Sequence, residues 1–341
     1  MRSQNVISLL SVVIVAQGCG SKAAQKKISA ISPENQYEIG SQVTNESVSA
    51  ASAGDSEGSG GFSFSLAGSG SPFKTVSRTC VVQADGSALV TISSEIEIDK
   101  SSSNANVSRV NKTTGNSTES RVWSNPGGVQ CASAEKARVN LKSDPTAYSL
   151  KVRIERSRQQ TLSQTNVRKN TTISSSRSFA MIGERAISIV SYSEDAASNT
   201  SIQEKKVSGS MNRSFSFVDK SGQTQSGSFS SATVGDPMVV RVKRSLSSKE
   251  VISRELVSGT RKSVLADGTA LELTFSQFVM SGSGESCDAQ SGSVSIKYLD
   301  SAGEATKTVN CAAESGLLNC LDQSGAAVEL ESPSCDPADD K

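Results

Sequence analysis

Tyr148-Ser149-Leu150-Lys151-Val152-Arg153-Ile154-Glu155 alternates apolar and polar side chains without a break. A period of two places Tyr148, Leu150, Val152 and Ile154 on one face of an extended strand, with Ser149, Lys151, Arg153 and Glu155 on the other. No helix presents such a pattern as a single stripe. The same period recurs along most of the chain. Ile92, Ile96 and Ile98 oppose Thr91, Glu95 and Glu97; Val207, Gly209, Met211, Phe215 and Phe217 share a parity interrupted by Arg213. Met238, Val240 and Val242 repeat it, then Leu271, Leu273 and Phe275, then Val294, Ile296 and Tyr298. Residues with this rhythm form half-buried strands, and Ser and Thr on the wet side suit an antiparallel sheet solvated on one face.

Turn chemistry agrees. Asp85-Gly86, Thr114-Gly115-Asn116, Ser221-Gly222, Asp267-Gly268 and Ala302-Gly303 sit between alternating runs, where residues tolerant of positive φ are wanted. Ala84-Asp85-Gly86-Ser87-Ala88-Leu89 is echoed by Ala266-Asp267-Gly268-Thr269-Ala270-Leu271; a shared hairpin signal accounts for this as well as a duplication does. The expected fold is all-β: long antiparallel strands in one twisted sheet, closed on itself as a sandwich or curled as an open half-barrel. Residues 61–280 are expected to form this main domain, and residues 281–341 a small, cysteine-rich β module clamped by disulfides.

Composition limits the chemistry. The 341 residues contain no histidine, so Ser-His-Asp and Cys-His catalytic units and imidazole metal ligands are excluded. Lys and Arg (35) balance Asp and Glu (34), which supplies no global field for nucleic acid. Aromatics make up 4% of the chain while 68 of its residues are Ser, so the core is thin for the length. No Gly-rich phosphate loop, calcium loop or zinc-knuckle spacing is present, and no cofactor is expected. The acidic tail Cys335-Asp336-Pro337-Ala338-Asp339-Asp340 reads as solvated.

The N-terminus carries a different signal. Arg2 precedes an apolar run from Val6 to Ala16, too short to span a bilayer as a helix and followed by Gln17-Gly18-Cys19. Ala16-Gln17-Gly18-Cys19 resembles the lipobox of bacterial lipoproteins, although Ala16 stands where that family usually has Leu. The resemblance covers about the first 20 residues. It implies that residues 1–18 are a signal peptide, that Cys19 becomes an acylated first residue, and that the partner it reaches is a membrane of the cell envelope, with the outer membrane expected. Residues 19–60, rich in Ser, Ala, Gly and Gln, then read as a flexible tether reaching about 35–40 Å on average. Phe62-Ser63-Phe64-Ser65-Leu66 after it alternates like a short strand.

Seven cysteines are an odd number, and an acylated Cys19 leaves six: Cys80, Cys131, Cys287, Cys311, Cys320 and Cys335. In an oxidising compartment these are disulfide candidates. Proximity favours Cys80 with Cys131, the last four pairing among themselves.

Residues 151–185 concentrate Lys151, Arg153, Arg156, Arg158, Arg168, Lys169, Arg177 and Arg185 against Glu155 and Glu184. An anion-binding face is one reading; a solvated face whose charges guard against edge pairing is the simpler one. Trp123, the single tryptophan, reads as a core anchor near the Cys80–Cys131 bridge. The expected function is non-enzymatic: a lipid-anchored envelope protein with a binding, structural or adhesive role toward another envelope component or cell surface. The alternative is a carrier of a lipid or other apolar ligand in a curved-sheet cavity.

Overall fold

The computed structural model describes residues 74–218, 222–248, 250–281 and 288–328. Cys19, Cys287 and Cys335, the signal and tether segments, the 62–66 strand and the acidic tail lie outside the described residues.

The described chain is an antiparallel meander. Its strands are β1 (Lys74–Val82), β2 (Ala88–Asp99), β3 (Ser102–Ser103), β4 (Val107–Ser124), β5 (Gln130–Ser133), β6 (Lys136–Arg138), β7 (Ser149–Asn166) and β8 (Thr171–Asp195). They continue as β9 (Thr200–Val218), β10 (Thr224–Ser245), β11 (Val251–Leu265), β12 (Ala270–Ser281), β13 (Asp288–Leu299), β14 (Ala305–Glu314), β15 (Leu317–Asp322) and β16 (Ala327–Val328). One large sheet runs β1-β2-β4-β7-β8-β9-β10-β11-β12-β13-β14-β15-β16, with β3 added beside β4; β5 and β6 form a separate hairpin. Among the described residues its outermost strands are β1 and β16, which are not hydrogen-bonded to each other.

Three of the expected turns are built as the sequence suggests. Gly86, Gly268 and Gly303 adopt φ of 79°, 83° and 87° in the β1–β2, β11–β12 and β13–β14 hairpins. Asp85 and Asp267 accept the amide hydrogens of Ser87 and Thr269, each at 2.9 Å. Thr114-Gly115-Asn116 is different: it lies inside β4, where Gly115 pairs with Ile96 on β2 and Arg158 on β7. The glycine is there for closeness, since a Cβ would stand 2.3 Å from the Ser157 carbonyl oxygen.

The expected boundary at 280/281 falls at the last residue of β12. β12 and β13 pair along most of their length, and buried residues from β7 through β16 form a single cluster. Alternation decides its membership: Leu150, Val152 and Ile154 are buried, as are Val240 and Val242, Leu271, Leu273 and Phe275, and Val294, Ile296 and Tyr298. All of these lie on one face, called inner below.

Irregularities in pairing line up across the sheet. The register slips at Val190 of β8, between Ala232 and Met238 of β10, at Val257 of β11 and at Gln277 and Phe278 of β12, opposite Gly292 of β13. Neighbouring inner-face residues at these points, Ile189, Lys205, Val240, Leu256 and Phe278, are paired one to the next. Extra residues bend a strand and sharpen its twist. Aligned on neighbouring strands, they form a row across the sheet, called the crease below. Gly292 (φ 90°) is required at the crease, because a Cβ would sit 2.0 Å from the Gln277 carbonyl oxygen.

Candidate ligand-binding face

The outer face balances its charges. Arg153 donates to Glu155 on its own strand (2.6 Å) and to Glu184 on β8 (2.5 Å). Arg241 of β10 donates to Glu204 of β9 (2.8 Å) and Glu255 of β11 (2.6 Å), linking three strands. Lys297 stands 3.4 Å from Glu272. Such exposed pairs contribute little stability but keep that face wet.

The inner face is built from another set. Register carries the parity of Val152 and Ile154 on to Arg156 and Arg158, and across to Arg177, Phe179, Met181 and Arg185 on β8. It continues to Lys205, Arg213, Phe215 and Phe217 on β9, Phe229 on β10 and Arg261 on β11. On β4, β7, β8, β9 and β11 the carboxylates sharing this parity are Glu119, which holds Arg121 in an ion pair, and Glu194 at the end of β8, which meets Lys142 at 2.8 Å. The basic stretch 151–185 is therefore split: Lys151 and Arg153 point outward, Arg168 and Lys169 occupy the β7–β8 turn, and Arg156, Arg158, Arg177 and Arg185 point inward. This corrects the reading of that stretch as one solvated face.

Burial divides the inner face into two zones. Toward the crease the cations are dry: Lys205 is 1% exposed, Arg185 4% and Arg261 5%. Arg261 donates through Nε to Ser231 Oγ at 2.7 Å, and Ser263 donates to the same oxygen at 3.1 Å, which satisfies this pocket of polarity inside the core.

Toward the β7–β8 and β9–β10 turns the side chains form three registered rows, half-buried except for the buried Met181. The first is Arg156, Met181, Arg213 and Phe229; the second Arg158, Phe179, Phe215 and Gly227; the third Gln160, Arg177 and Phe217. With strands about 4.8 Å apart and rows about 6.8 Å apart, the patch measures about 14 by 14 Å. The guanidinium of Arg177 lies 5.3 Å above the Phe217 ring, and that of Arg213 lies 6.0 Å from the Phe229 ring. The Phe215 ring crosses Gly227, where a Cβ would meet its Cζ at 2.3 Å. Burial alone pulls the Arg158 guanidinium below the usual arginine pKa. Chemically the patch offers apolar area and hydrogen-bond forks side by side.

None of these phenylalanines stands out as a site in the sequence. The signal was available, because the parity of Val152 runs through Arg158 and that of Val207 through Phe217.

The described cysteines form two bridges. Cys80 of β1 joins Cys131 of β5, 51 residues away, and ties the small hairpin to the sheet edge. Cys311 and Cys320 face each other across β14 and β15, with Cα atoms 4.0 Å apart. Trp123 is half-buried on the inner face between Ala88 and Leu150 and packs against the main cluster. Among the described residues, no group of three or more Cys, Asp or Glu side chains is gathered as a metal site.

No family model, no curated protein and no solved structure matches the chain.

Proposed function

We propose that this chain is a lipid-anchored, non-enzymatic protein of a bacterial cell envelope, acylated at Cys19, whose β domain binds a partner or ligand in that envelope. The reading of the anchor rests on the apolar run Val6 to Ala16 ending in Gln17-Gly18-Cys19. Disulfides at Cys80–Cys131 and Cys311–Cys320 fit an oxidising compartment such as the periplasm or cell surface. The binding role rests on one observation above the others: the inner face passes from a dry core to a half-buried arginine–phenylalanine patch along the same strands. Core residues left half-wet, beside cations rather than carboxylates, favour recognition over packing. The phenylalanines on that face favour the carrier of a lipid over a purely structural role as the second reading.

The anchor is tested by metabolic labelling with a fatty acid. Wild-type protein incorporates the label and begins at Cys19, and Cys19→Ser incorporates none. Unlabelled wild-type protein with a different N-terminus removes the anchor from this proposal.

A further inference from the structure

We propose that the patch formed by Arg158, Arg177, Phe179, Phe215 and Phe217 binds an amphipathic anion, its aliphatic chain on the phenylalanine rings and its oxyanion headgroup on the two guanidiniums. This deepens the binding role above and rests on it. Arg158 and Arg177 sit one row apart on neighbouring strands, a diagonal of about 7–8 Å between backbone positions, which long side chains close easily. The Arg177 guanidinium lies 5.3 Å from the Phe217 ring centroid, which sets this cation directly beside apolar surface. Arg158 is half-buried, and a partly desolvated cation binds an oxyanion more strongly than one in bulk water.

Each half of the patch argues for the other half of the ligand. Phenylalanines alone would suit any apolar guest, and arginines alone any phosphate. Interleaved in adjacent rows, they match a molecule that changes polarity over a few ångströms. Glu119 and Glu194, the inner-face carboxylates on these strands, lie on other rows, Glu119 opposite Ile154 and Glu194 beyond the crease, so neither places negative charge within the patch rows. Phosphate and carboxylate headgroups share the required chemistry, and the probes below separate them.

The test uses full-length chain in non-ionic detergent, released in a native mass spectrometer after incubation with dioctanoyl phosphatidic acid, decanoate, dioctanoyl phosphatidylcholine or inorganic phosphate. One adduct per chain is expected with phosphatidic acid or decanoate, at concentrations at least tenfold below those needed for phosphatidylcholine, and none with inorganic phosphate. The stronger of the two anionic probes identifies the headgroup. Arg158→Gln with Arg177→Gln is expected to lose the tenfold preference for anions, and the paired Arg→Lys variant, which keeps charge and stem, to retain part of it. Phe215→Ser with Phe217→Ser weakens every lipid probe. Thermal melts of each variant show whether the fold survives, and the Lys pair serves if the Gln pair unfolds. Equal binding of phosphatidic acid and phosphatidylcholine, or undiminished anion preference in a folded Gln or Lys pair, overturns the proposal. Inorganic phosphate binding as tightly as the lipids makes this a bare anion site and overturns it too. Binding that appears only after removal of residues 329–341 makes the chain's own acidic tail the occupant. Fatty-acid labelling at Cys19 is independent of all these variants, so loss of the ligand leaves the anchor standing.

Discussion

β12 and the distal half of β7 follow the same alternation and end in different environments. On β12, Leu271, Leu273 and Phe275 are 1% exposed or less; on β7 the same parity gives Arg156, Arg158 and Leu162, all half-buried. Alternation determines which face a side chain takes. Dryness is a separate property, and it falls off along the strands: the rows near the crease are buried, and those nearest the β7–β8 turn are half-buried. One strand can thus serve as core at one end and as a surface at the other.

The sharpest way to break this comparison is to place a carboxylate in both zones. Val242→Asp buries a charge in the dry layer and costs several kcal/mol, against a total stability of about 5–15 kcal/mol. Leu162→Asp costs under about 1 kcal/mol, as changes outside a packed core usually do. Thermal melts read both. Equal destabilisation would mean that the distal rows are as covered as the core.

The two disulfides extend the comparison to the edges of the sheet. In the chain-entropy account, Cys80–Cys131 closes a loop of 51 residues and contributes about 4 kcal/mol, while Cys311–Cys320 closes one of 9 and contributes about 2.6 kcal/mol. Paired Cys→Ala variants, followed by chemical denaturation, are expected to rank in that order. Reversal would show that packing of the buried Cys311 and Cys320 outweighs loop closure.

The smallest effect belongs to the turns. Asp85, Asp99, Asp195 and Asp322 are held below the ordinary aspartate value of 3.8, chiefly by hydrogen bonds from the side chains of Ser87, Ser101, Ser198 and Ser324. A depressed folded pKa contributes stability that is fully present above 3.8 and disappears as pH falls through the lower folded values. Melting temperature is expected to stay level from about pH 7 to about pH 5 and to decline only below about 4. A decline that begins near neutral pH would point to other groups.

Much of this architecture was legible in the sequence. Leu150-Lys151-Val152-Arg153-Ile154 gave the faces, and Asp85-Gly86 and Asp267-Gly268 gave two hairpins, because both signals are local. Gly115 misled, since a glycine that admits a neighbouring carbonyl looks in sequence like one that makes a turn. Arg158 and Phe217 lay on the right parity, yet their association depends on β7, β8 and β9 being in register, which no single strand encodes. The crease is harder still: Val190, Val257 and Gln277 are ordinary strand residues in sequence, and their alignment exists only across strands.

The strictly sequential order of the main sheet bears on how the chain is made. Every long strand pairs with the one before it and the one after it, so no strand waits for a distant segment to arrive. Contacts of low sequence separation form quickly. A polypeptide threaded through a membrane N-terminus first, as the proposed signal requires, can add each hairpin to a growing edge as it emerges. The Cys80–Cys131 link then closes soon after the first two long strands have appeared. Assembly would proceed like a hem being stitched, with the unfinished margin always at the most recently delivered strand.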